Sequence, residues 1–117
     1  MKLKLLFALL LIGMISACDD DDDDNACNTT DVTYTNTIAT IFDGTCAVSG
    51  CHVVGNEAVA FFSLEGYANA SLAASFGRMV GAVSHDEGFT PMPKDQDQLD
   101  QCSIDQITAW VAAGAPE

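Results

Sequence analysis

Five cysteines in a chain of 117 residues, at positions 18, 27, 46, 51 and 102, limit what this sequence can build more than any other feature. A chain of this length closes around one small core at most. Small secreted domains with thin cores rely on covalent links where larger ones rely on apolar burial. Disulfides alone cannot consume an odd number of thiols, so at least one cysteine has other chemistry. Composition removes several function classes. With 17 acidic residues against 4 Lys and Arg, the formal charge is −13. Nucleic-acid binding needs a basic face, and adhesion to anionic lipid needs a polybasic patch. At 49% apolar residues the chain is too hydrophobic for a solvated polymer.

The first cysteine closes a leader. Lys2 and Lys4 form a positive n-region, Leu5–Ile15 is an apolar run, and Ser16-Ala17 are small residues ahead of Cys18. The run is too short to span a bilayer, which takes about 20 residues, and the layout is that of a secretory signal. Ile15-Ser16-Ala17-Cys18 resembles the lipobox of bacterial lipoproteins. That resemblance implies cleavage before Cys18 and acylation of Cys18, with several acyl chains making a durable anchor. The alternative is an ordinary signal cut after Ala17. Export brings the chain to a compartment where disulfides persist. Asp19–Asp24 is an unbroken acidic run whose self-repulsion favours an extended spacer. It lacks the glycine turn and spaced ligands of a dedicated Ca²⁺ loop. After a lipidated cysteine it also resembles the surface-export signals of Bacteroidetes lipoproteins. The expected organisation is a signal peptide over 1–17, a lipidated Cys18 with an acidic tether over 18–30, and a folded domain over 31–117.

Periodicity places helices in that domain. Tyr34, Ile38, Ile41 and Phe42 recur at helical spacing, predicting a helix over Val32–Phe42, capped by Thr33 or Asp31 and ended at Asp43-Gly44. A second helix is expected over Leu64–Ala74 with Ser63 as its cap, and a short third over Phe76–Val83. Ser84–Gln98 reads as a long loop, of the kind that is usually functional in a compact domain. Ser103-Ile-Asp-Gln106 fits a capping box for a last helix with Ile104, Ile107, Trp110 and Val111 on one stripe, ended by Gly114 and Pro116. No strand with sustained alternation is expected beyond Val53–Phe62. The fold class is all-α, with three to four helices and long loops.

The chemistry concentrates at Cys46-Ala-Val-Ser-Gly-Cys51-His52. C-x-x-C-H is the attachment pattern of c-type haem. Here two residues are added between the thiols, and Gly50 suits a bulged connection because it tolerates positive φ. The two cysteines must reach two vinyl groups on one porphyrin edge, and the next residue must turn its imidazole to the iron. The competing reading is a Cys46–Cys51 disulfide beside an uninvolved His52. Zinc is disfavoured because no second Cys/His pair with zinc spacing follows. A thioredoxin-like pair is disfavoured by its spacing and by the missing βαβ pattern. Thr90-Pro-Met-Pro-Lys94 sets Met92 between two prolines that keep it out of helix. It can therefore offer its thioether as a second iron ligand, 40 residues after His52. His85 is the alternative to Met92. Cys27 and Cys102, left over in an exported chain, are expected to pair.

With these residues in place, Ile38–Ala115 resembles a small monohaem cytochrome c domain, especially the exported C-x₄-C-H type found in Bacteroidetes and Planctomycetes. The matching pieces are Ile41-Phe42, Gly50-Cys51-His52, Tyr67-Ala-Asn69, Pro91-Met92-Pro93 and the Ile104…Ala115 segment. The resemblance implies a cytochrome c-like fold around one covalent haem c. First and last helices would cross, with Ile38, Ile41 and Phe42 meeting Ile107, Trp110 and Val111. It implies thioethers at Cys46 and Cys51, iron ligation by His52 and Met92, and single-electron transfer with no substrate chemistry. Phe61, Phe62, Leu64, Tyr67, Met79, Val80, Phe89 and Trp110 are the expected pocket walls. Arg78 and Lys94 are the only basic residues after the leader. Redox partners should therefore present a basic docking surface, and nucleic acid is not a partner. The lipid would hold the protein to a bacterial membrane, at the outer membrane, the cell surface or facing the periplasm. The alternative function is a disulfide-stapled lipoprotein interaction module without cofactor. A five-coordinate haem with weak peroxidase or gas-binding activity would follow if neither Met92 nor His85 ligates.

Overall fold

The computed structural model describes residues 26–117. The leader, Cys18 and the acidic run lie outside the described residues. The described residues are helical, with no strand among them, and no helix is long and apolar enough to cross a membrane.

Helix α1 spans residues 34–46. It starts as a wide π-turn over Tyr34–Ile38, narrows to an α-turn over Ala39–Ile41 and widens again over Phe42–Cys46. Thr33 caps it reciprocally. Its hydroxyl accepts from the Asn36 N–H at 3.2 Å, and the Asn36 side chain accepts from the Thr33 N–H at 2.9 Å. The expected stop at Asp43-Gly44 does not occur. Beyond the glycine, Cys46 packs half-buried against the core, which offsets the roughly 0.5–1 kcal/mol cost of a helical glycine. The helix therefore runs on until its last residue is Cys46.

A four-residue turn, α2 (Glu57–Ala60), interrupts the loop that follows. Helix α3 is Tyr67–Ser75, α4 is Met79–Val83 and α5 is Gln101–Ala112. Three of the expected starts move, that of α4 shifting from Phe76 to Met79. Helix α3 begins after Gly66, whose φ of +77° turns the chain into it. Ser63 instead accepts from the Glu65 N–H. Helix α5 begins at Gln101 because Asp100, not Ser103, is its cap. The Asp100 carboxylate accepts from the Ser103 N–H at 3.0 Å and from the Ser103 hydroxyl at 2.7 Å. Residues 84–100 contain no helix, matching the expected long loop.

The core is the seam between α1 and α5. Ile38, Phe42, Ile107 and Trp110 are the largest fully buried side chains. Phe42 meets Trp110 edge to face, with centroids 5.9 Å apart at 88°, the arrangement favoured by ring quadrupoles. Ile41 and Val111, expected in the same seam, are only half-buried against it. The indole N–H donates to the Pro116 carbonyl at 2.8 Å, and that oxygen also accepts from the Tyr34 N–H at 2.9 Å. The Tyr67 hydroxyl donates to the Ala115 carbonyl at 3.1 Å. Residues 115 and 116 thus fasten the starts of α1 and α3 to the end of α5. A Cys27–Cys102 disulfide, with Cα atoms 5.3 Å apart, joins the segment before α1 to the first turn of α5.

The hydrogen bonds from Ser103 hold the Asp100 carboxyl below its ordinary pKa. A lowered native pKa adds stability above the unfolded value of about 3.9, and that stability is lost as pH falls through the native value. Asp100→Ala should lower the melting temperature at neutral pH. The gap to wild type should close in acid below about pH 3.9, read from melting curves at several pH values.

Candidate functional site

The local fold absorbs the long spacing between the two cysteines of the motif. Cys46 sits at the end of α1, and the chain then doubles back. The Cys51 N–H donates to the Val48 carbonyl at 2.9 Å, and the His52 N–H donates to the Cys46 carbonyl at 3.1 Å. Gly50, at φ +83°, supplies the left-handed step that this turn requires. His52 is thereby brought back against the helix end. Cys46 and Cys51 are free thiols. Burial pushes the Cys46 thiol up to about 11, with the Cys51 sulfur adding to the effect. At neutral pH Cys46 is therefore a protonated thiol, not a ready thiolate.

His52 is held on three sides. Its carbonyl accepts from the Leu64 N–H at 2.8 Å and from the Ser63 hydroxyl at 3.3 Å. Its ring stacks on Phe62, with centroids 4.6 Å apart at 22°. Its Nδ1 lies 3.0 Å from the Phe62 carbonyl oxygen. A carbonyl can only accept, so Nδ1 carries the proton and donates. That leaves the Nε2 lone pair as the ring's free ligating position, the second-shell arrangement typical of metal-binding histidines.

Met92 arrives from the long loop. The loop folds onto α4, where the Met92 N–H donates to the Ala82 carbonyl at 3.0 Å. Phe89 lies flat enough on Gly81 that a Cβ there would fall 2.7 Å from its ring. The Arg78 guanidinium sits 5.0 Å from the centre of the same ring, within cation–π range.

These pieces enclose one cavity of about 530 Å³, and Cys46, Cys51, His52 and Met92 all line it. The volume falls within the roughly 300–1,000 Å³ of cofactor and small-molecule sites. Of the expected apolar walls, Phe61, Phe62, Leu64, Met79 and Phe89 line it, while Tyr67, Val80 and Trp110 do not. Trp110 is used up in the seam with Phe42. Tyr67 turns its ring to Tyr34, 5.8 Å away, and its hydroxyl to Ala115. On α4 the neighbours Met79, Ala82 and Val83 face the cavity instead of Val80. His85 does not line the cavity, and its Nε2 lies 3.1 Å from the Met92 carbonyl oxygen. Among the described residues, no three His, Cys, Asp or Glu side chains converge to hold a bare metal ion.

Two site residues were not singled out for the cavity by the motif reading. Arg78 and Lys94 both line it. They are the only Lys or Arg among the described residues, which also carry 11 acids, a balance of −9. Placing both cations at one apolar cavity fits an occupant that brings negative charge. The signal was available in the sequence as scarcity. Where only two cations remain, their positions are informative.

Gly81→Val should push the Phe89 ring off α4 at a cost of about 1–3 kcal/mol, as for other overpacking substitutions. Adding Phe89→Ala to that variant should recover part of the loss. Urea melts of the two single variants and the double would measure the coupling, and strictly additive losses would contradict the contact. Comparison of the chain with family models, curated proteins and solved structures gives no match.

Proposed function

We propose that this chain is an exported, lipid-anchored monohaem c-type cytochrome that carries single electrons between redox partners. The observation that carries the reading is the convergence of Cys46, Cys51, His52 and Met92 on one apolar-walled cavity. The first three are neighbours in sequence, but Met92 is 40 residues further on. The donor set fits haem c. Cys46 and Cys51 would hold it through thioether bonds, His52 offers Nε2 to the iron, and Met92 offers a thioether. Arg78 and Lys94 supply counter-charge for the two propionate carboxylates of a haem. Bound haem supplies a one-electron couple between ferrous and ferric iron.

The chain's own residues do the rest. The Phe62 carbonyl fixes the His52 tautomer and ring plane, so that Nε2 would stay available to a bound haem iron. Phe62, Leu64 and Val83 line the cavity with apolar side chains, which would keep water from a bound group. Val59, Phe61 and Phe76 line the same cavity yet are 70%, 87% and 55% exposed. They form an apolar rim through which a partner can approach the cofactor edge. The excess of 11 acids over two cations among the described residues calls for a basic partner. The leader and Cys18 support export and anchoring by their sequence pattern.

Covalent haem is tested by expressing the full chain in a bacterial periplasm with haem-maturation machinery and staining a denaturing gel. The wild-type band should stain, and the Cys46→Ala, Cys51→Ala double variant should not. An unstained wild-type band would sink the reading and favour the disulfide-stapled interaction module. Met92→Ala should change the spectrum and lower the reduction potential of the coloured protein, since a thioether ligand raises it. Haem attachment should also raise the melting temperature, because the cofactor would fill the apolar cavity of about 530 Å³.

A further inference from the structure

We infer that His85 is a positioning residue for Met92, a latch that fixes the ligand loop from its backbone and not itself an iron ligand. The inference rests on the haem reading above and deepens it. The starting point is the end of α4. Ser84 closes the helix, and His85 follows at φ +56°. This is the place where a left-handed residue ends a helix, and glycine is the usual occupant. A side chain with a Cβ is strained there by comparison. A histidine at such a site costs stability, so its imidazole needs a compensating contact.

That contact is the Met92 backbone. His85 Nε2 lies 3.1 Å from the Met92 carbonyl oxygen, so this nitrogen carries the proton and donates. On its other side the Met92 N–H donates to the Ala82 carbonyl at 3.0 Å. Both backbone polar groups of Met92 are thereby tied to the last turn of α4 and the residue just after it. Met92 lies in a segment with no helical or strand hydrogen bonds of its own, so these two bonds set where its side chain enters the cavity. Meanwhile Nε2, the nitrogen farthest from the backbone, is committed to the carbonyl, and His85 does not line the cavity. Ligation by His85 through Nε2 would require breaking the bond that holds Met92.

The test compares wild type with His85→Gly, His85→Gln, Met92→Ala and the Met92→Ala, His85→Gly double variant, all as full chains matured in the periplasm. Glycine suits the left-handed backbone, so His85→Gly removes the imidazole without asking the fold to tolerate new strain. Glutamine can donate to the same carbonyl. Two readouts are used: amide hydrogen exchange at Met92, and the spectrum and reduction potential of the coloured protein. His85→Gly should speed Met92 exchange roughly three- to tenfold, the range for one net hydrogen bond. It should also lower the fraction of iron with methionine ligation, and His85→Gln should restore most of both. In the Met92→Ala background, loss of His85 should leave the potential unchanged, because a latch acts only through what it holds.

The latch is overturned if His85→Gly leaves Met92 exchange and the spectrum as in wild type. It is equally overturned if His85→Gly changes the spectrum while Met92→Ala does not, which would make His85 the ligand. A wild-type chain that takes up no haem overturns the proposed function, and with it any role of His85 toward iron. A coloured chain with an indifferent His85 overturns the latch alone.

Discussion

The contact between Phe42 and Trp110 is the interaction on which the rest of the structure depends. It joins the two longest stretches of helix and brings both walls of the site with them. Phe42 is one turn before Cys46, and it also lines the cavity. Its burial therefore fixes the helix end from which the first thiol projects. Trp110 belongs to α5, which packs against both α1 and α4. Since α4 carries the loop that delivers Met92, the same tryptophan indirectly sets the other wall. The polar atoms follow the same plan. The indole N–H and the Tyr34 N–H share the Pro116 oxygen, and among the described residues no buried side-chain nitrogen or oxygen lacks a hydrogen-bond partner. Unpaired polar groups would cost far more in so thin a core than the bonds that satisfy them return.

Much of this was legible in the sequence, and what was not has physical reasons. The stripe Ile104, Ile107, Trp110 is an amphipathic helix by spacing alone, and burial of all three agrees with it. The start of that helix was misplaced because Asp100-Gln-Cys-Ser103 and Ser103-Ile-Asp-Gln106 both offer a cap, and local pattern cannot rank them. The end of α1 was misplaced because glycine stops a helix only when nothing beyond it is held. Here the held residue is Cys46, half-buried against the core, and the turn continues to it. Helix α2 is too short for any periodicity to register. The expected pocket walls failed at Tyr67 and Trp110 for one shared reason: periodicity says that a side chain is buried, not which of two interiors it enters.

The candidate site shows the same division. Cys46, Cys51 and His52 are grouped by the chain itself, so their proximity was never in question. What sequence could not supply was how the extra residues between the thiols are accommodated, which takes the two backbone bonds to Val48 and Cys46. Nor could it supply the orientation of His52, which comes from the Phe62 carbonyl ten residues away. The choice between Met92 and His85 was posed by the sequence as a competition. In the structure one of the two lines the cavity and the other is bonded to its backbone.

The disulfide between Cys27 and Cys102 has a mechanical meaning as well as a thermodynamic one. It encloses the whole site, from α1 through the Met92 loop, in a covalent ring spanning 75 positions of sequence. A load arriving along the chain ahead of Cys27 meets the cross-link before it meets α1. Part of the force passes directly into α5, whose side chains are among the most deeply buried. Peeling the domain from its front end would mean displacing that helix, not only unzipping α1 one turn at a time. The sulfur bridge thus stands between any pull on the chain ahead of Cys27 and the cavity behind it.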